Sequence, residues 1–226
     1  MGIGQSLARR ITPKITQAAP GLSHGFVREA LKRAIEGAGP LPSVRESSTK
    51  KLADAGGDVD KAIRKAIEVH TGYAAAEGFV TNLGGLVTAA ATIPANITGL
   101  ALIQCRLIAT IAELRGHDLS DPRVRNAVLL CVIGEDSVKK LVKRKTVPGT
   151  PMALATAPVH DPALDKVIST EVATELVSKV AGKRLATTVG RRVPVIGGAV
   201  GMTADGWATW RIGRYAAQEL LPRARR

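Results

Sequence analysis

Four histidines and two cysteines are the side chains in this sequence best suited to metal or nucleophilic chemistry. His24, His70, His117 and His160 stand more than forty residues apart. A helical zinc site needs two ligands one turn apart, and a zinc ribbon needs paired CxxC knuckles. Neither spacing occurs. His70 falls on an apolar helical stripe, which favours a packed imidazole over a ligand. Cys105 and Cys131 lie in apolar helical segments with no histidine motif beside them. That argues for buried, unreactive thiols and against a nucleophile or a disulfide framework. The pattern therefore offers no catalytic set, no resident metal and no cofactor.

The glycine-rich stretch Gly197-Gly198-Ala199-Val200-Gly201 invites comparison with a phosphate loop. A P-loop requires Lys followed by Ser or Thr after its last glycine, and Met202-Thr203 stands there instead. A dinucleotide fingerprint requires a preceding strand, and no alternating strand pattern is present. Gly197 and Gly201 are four apart and share one helix face, a device for close helix packing. Gly78, Gly84, Gly85 and Gly99, together with Pro94, suggest the same packing use.

Charge is the other chemical signal. The 226 residues carry 32 Lys and Arg against 19 Asp and Glu, a net of +13. The excess is uneven. Residues 1–50 carry +5, residues 51–122 carry −2 and residues 123–226 carry +10. Lys139, Lys140, Lys143, Arg144 and Lys145 form one basic cluster, and Arg211 and Arg214 follow Trp207 and Trp210. Basic charge beside interfacial aromatics suits an anionic membrane surface or lipid. Trp207 and Trp210, three apart, share a helix face, and burial of that face in the bundle is the favoured reading of the pair. Six aromatics in the whole chain leave little stacking surface for single-stranded nucleic acid. With no recognition-helix motif, sequence-specific nucleic-acid binding is disfavoured.

The elements that must position these groups read as helices almost throughout, so an all-α fold is expected. Phe26, Val27, Ala30, Leu31, Ala34 and Ile35 recur at helical spacing, with Ser23 as N-cap and a stop near Gly37. Residues 39–57 read as a loop rich in Pro, Ser and Gly. Val59, Ala62, Ile63, Ala66, Ile67 and His70 give an amphipathic helix beginning near Asp58. From Gly78 to Cys105 no residue is charged, a run of 28. As one helix it would span about 42 Å, longer than a bilayer core. Its asparagines, threonines, glycines and proline favour the centre of a bundle over a membrane span.

Ser120-Asp121-Pro122 and Asp161-Pro162 mark helix starts: a capping acid before proline at the first helical position. Residues 146–160 read as a loop. A long helix runs from Asp161 to about Leu185, and a last one carries Trp207, Trp210, Ile212, Tyr215 and Leu220. The expected architecture is a single bundle-like domain of about six to seven helices, residues 22–222, with a central apolar glycine-rich helix pair. Basic tails are expected at 1–21 and 223–226.

Several of these residues resemble the EcsC family. The resemblance rests on Thr71-Gly72 through Gly84-Gly85, Ile93-Pro94, Glu113-Leu114-Arg115-Gly116-His117-Asp118, and Val193 to Gly201 followed by Asp205. It covers roughly residues 50–222. Asp205 stands where the family often has Asn. The resemblance implies a bacterial helical protein linked to secretion and membrane processes through a gene beside an ABC transporter, with no catalytic residues to carry over. Taken with the charge pattern, the expectation is a non-enzymatic protein at the cytoplasmic face of the inner membrane, binding lipid or a membrane protein partner. The alternative is a soluble helical scaffold or a small-ligand binder with a buried apolar core.

Overall fold

The computed structural model describes residues 24–37, 41–83, 93–189 and 194–223, with side chains at 25–37, 41–76, 99–176, 178 and 204–223. It is all-α. The helices are α1 His24–Glu36, α2 Val44–Asp54, α3 Val59–Leu83, α4 Ile93–Leu114, α5 Pro122–Ile133, α6 Glu135–Lys143, α7 Pro151–Ala155, α8 Pro162–Val189 and α9 Pro194–Glu219. Nine helices among the described residues exceed the six to seven expected.

The surplus comes from two segments expected to be loops. Within 39–57, Ser43 and Glu46 form a reciprocal capping box. The Ser43 hydroxyl accepts from the Glu46 N–H, and the Glu46 carboxylate accepts from the Ser43 N–H at 3.0 Å. Two orphan amide donors are satisfied at once, and α2 follows in spite of its serines. Within 146–160, Thr150 caps a single turn with Pro151 at its first position, giving α7.

The other boundaries follow from the sequence. α1 ends at Gly37, whose φ of +87° only glycine adopts without strain. A Cβ there would lie 2.2 Å from Leu41 O, so the turn is closed to any side chain. Asp121 caps α5, accepting from the Arg123 N–H at 2.8 Å with Pro122 behind it. Asp161 accepts from the Ala163 N–H at 2.9 Å and starts α8.

α4 and α5 form the centre. Leu107, Ile108, Ala109, Ile111 and Ala112 of α4, and Ala127 to Cys131 of α5, are wholly buried. α1, α2, α3, α5 and α9 all pack on α4. The uncharged run is not one helix among the described residues: it divides between the end of α3 and the first half of α4. In its described part, Leu100, Ala101, Gln104 and Cys105 are buried. No helix among the described residues is long and apolar enough to cross a membrane.

Two arginines, Arg106 buried and Arg28 half-buried, tie the helices together. Arg106 on α4 donates Nη1 to Ala34 O, an orphan carbonyl at the end of α1, and Nη2 to Pro42 O just before α2. Arg28 on α1 donates to Asn126 Oδ1 and Ser169 Oγ and pairs with Asp165 at 3.1 Å, joining α1 to α5 and α8.

Candidate functional site

α9 is positioned by close contact with α3 and α4. A Cβ on Gly206 would lie 3.2 Å from Ala75 Cβ. One on Gly213 would lie 3.0 Å from Leu107 Cδ2 and 3.1 Å from an Ile67 methylene. Rising numbers along α9 thus meet falling numbers along α3, so the two helices are antiparallel. Gln104 Nε2 donates to Thr209 Oγ1 at 3.2 Å and ties α9 to α4. Asp205, Thr209, Ile212, Tyr215 and Ala216 are buried.

That register fixes which face of α9 stays in water, and both tryptophans of the chain are on it. Trp207 is 60% exposed and Trp210 is 44% exposed. The expectation that they pack into the bundle is therefore wrong: the glycines and Thr209 occupy the packed face, and the indoles fall between. Each indole is covered by the cation one turn on. The Arg211 guanidinium lies 4.9 Å from the Trp207 ring centroid, and that of Arg214 lies 5.7 Å from Trp210. Such stacking leaves an amphipathic ridge, apolar rings with cations held over them.

The basic cluster of α6 sits beside this ridge. Arg211 Nη2 meets Asp136 Oδ2 at 3.0 Å, and the Gly134 Cβ direction meets Ile212 at 3.7 Å. Val138 and Leu141 turn inward, so Lys139, Lys140 and Lys143 face water, with Arg144 and Lys145 just beyond the helix. Lys139 is paired to Glu135. Among the described residues, no carboxylate pairs with Lys140, Lys143, Arg144, Lys145 or Arg214. The seven candidate cations therefore lie on α6, the turn after it and α9, the two groups 66–75 residues apart in sequence.

The packing glycines fare differently. Gly78, Pro94, Gly197 and Gly201 have helical backbones, but their surroundings lie outside the described side chains, and Gly84 and Gly85 lie outside the described residues. The close approaches that are described belong to Gly206 and Gly213, two turns apart on one face of α9. Their spacing of seven was a legible signal that the sequence reading missed.

The groups suited to catalysis are occupied. His70 is 4% exposed, and its Nδ1 donates to Ala66 O at 2.8 Å. Burial lowers its pKa to about 4, with Lys51 and Arg106 adding to the effect. Burial pushes Cys105 up to about 12 and holds Cys131 well above the usual thiol value. His160 Nε2 meets Asp165 Oδ1 at 3.0 Å, with Ser169 one turn further along α8. Ser169 is not aimed at the imidazole, because it donates to Asp165 O and accepts from Arg28. Burial pushes the Asp165 carboxyl up, but hydrogen bonds from His160 and Asn126 and the Arg28 charge outweigh it and hold the carboxyl low. Among the described residues, no group of three His, Cys, Asp or Glu side chains could hold a metal. Two open clefts, of about 270 and 190 Å³, share Arg115 in their linings.

The sequence model of the EcsC protein family matches residues 4–224. No curated protein and no solved structure matches the chain.

Proposed function

We propose that this chain, which belongs to the EcsC protein family, binds anionic lipid at a membrane surface without enzymatic activity, using the wet face of α9 and the adjoining α6. The observation that carries this reading is the exposure of both tryptophans, each beneath an arginine. Two large indoles in water are costly to a protein that meets only water. At a bilayer interface the same rings settle at headgroup depth, while Arg211, Arg214, Lys140 and Lys143 meet lipid phosphates. With no spanning helix among the described residues, the contact is peripheral. The cytoplasmic face of an inner membrane, rich in anionic lipid, provides the matching charge.

Flotation with vesicles containing a third phosphatidylglycerol tests this at low salt. The wild-type chain is expected to float, and W207A/W210A to partition about tenfold less with an unchanged unfolding midpoint. A wild-type protein that stays at the bottom, or a variant that floats equally well, would sink the reading.

A further inference from the structure

Between α3 and α9, beside the tryptophan ridge, lies a cleft of about 190 Å³. Ile63 and Ile67 are buried beneath it, and Asp60, Arg64, Arg115, Arg214 and Gln218 line it. Three arginines therefore line a space with one carboxylate. Asp60 is committed to Arg115, at 2.9 Å from Nη2. Among the described residues, no ion pair neutralises Arg64 or Arg214. Arg115 Nε is buried and has no hydrogen-bond partner.

From this arrangement we infer that the cleft binds a phosphate monoester, and, resting on the membrane reading above, that in a bilayer the group belongs to an anionic lipid headgroup. A phosphate monoester carries nearly two charges at neutral pH and three acceptor oxygens. Guanidinium forks match those oxygens two at a time. The cleft, about 190 Å³ and open to solvent, leaves room for a headgroup while the acyl chains stay in the bilayer. Arg214 belongs both to the cleft and to the Trp210 stack, which places the phosphate next to an indole at the interface. Asp60 acts against binding: it holds Arg115 and repels the anion, so any preference for a dianion must come from the three arginines.

Calorimetric titration of the full chain with dihexanoyl phosphatidic acid, below its micelle concentration, and with inorganic phosphate tests this without any membrane. R64Q leaves both tryptophans and Arg211 in place and is expected to weaken binding roughly tenfold. D60N is expected to tighten it, a gain that damage to the fold would not produce. Tighter binding of the short-chain lipid than of inorganic phosphate assigns the phosphate to a headgroup. Equal binding of both assigns it to a soluble ester and overturns the lipid source. No heat from the wild type with either probe, or unchanged affinity in R64Q and D60N, overturns the site itself. Flotation is scored separately, so a wild type that floats yet binds neither probe removes the cleft and leaves the membrane reading intact.

Discussion

Acidification from pH 7 to pH 4 should cost the fold roughly 3 kcal/mol through His70 alone. The imidazole is buried and neutral in the folded state, with its pKa lowered to about 4. In the unfolded chain it titrates near the ordinary value of about 6.5. Between those values the unfolded state binds the extra proton, so stability is full above about pH 6.5 and is lost progressively towards pH 4. His117, lowered by burial, acts in the same direction. The carboxylates held low, Asp118, Asp121 and Asp165, lose their contribution only at more acidic pH. The window from pH 6.5 to 4.5 therefore belongs to the histidines. Urea midpoints measured across it should fall steeply for the wild type and much less for H70Q. Equal slopes in the two proteins would show that His70 is not the group that charges.

Leucine at position 213 should cost about 3 kcal/mol, at the upper end for an overpacked core. Gly213 lies where α9 crosses α3 and α4, and even a single added carbon would reach 3.0–3.1 Å from Leu107 and Ile67. Leu107 is fully buried against its other neighbours, so it cannot yield without moving α4. Gly72 supplies the control. It lies on the exposed side of α3 with nothing within 4 Å of its Cβ direction. G72A should therefore stabilise the protein by roughly 0.5–1 kcal/mol through helix propensity. Chemical denaturation of both variants checks the pair. A G213L protein as stable as the wild type would mean that α9 does not approach α3 and α4 as described.

The helical framework was legible because its signals are local. Asp121-Pro122 and Asp161-Pro162 start α5 and α8, Gly37 stops α1, and the stripe from Ala62 to His70 orients α3. α2 was hidden although its signal was present: the capping box of Ser43 and Glu46 is short, and three serines nearby read as loop chemistry. The cationic candidates were legible as residue types, but their assembly was not. Contact between α6 and α9 depends on Arg211 meeting Asp136 across 75 residues, and no periodicity encodes it. The tryptophans were misjudged for a related reason. A spacing of three says that two side chains share a face, but only the packing partner decides which face is buried. Gly206 and Gly213 gave the packed face to the backbone and turned the indoles outward. The anion cleft was likewise beyond reach, because Arg64 and Arg214 stand on two different helices and Arg115 in the turn that follows a third.

If α9 meets a lipid surface through its tryptophans, as proposed, their own fluorescence will report it. The chain contains two tryptophans, and both stand on the face in question. Titration with phosphatidylglycerol vesicles should shift the emission to the blue and shield it from iodide, and neutral phosphatidylcholine vesicles should do so far less. An emission spectrum and iodide quenching that stay the same with saturating anionic vesicles would mean that the tryptophans do not enter a lipid surface.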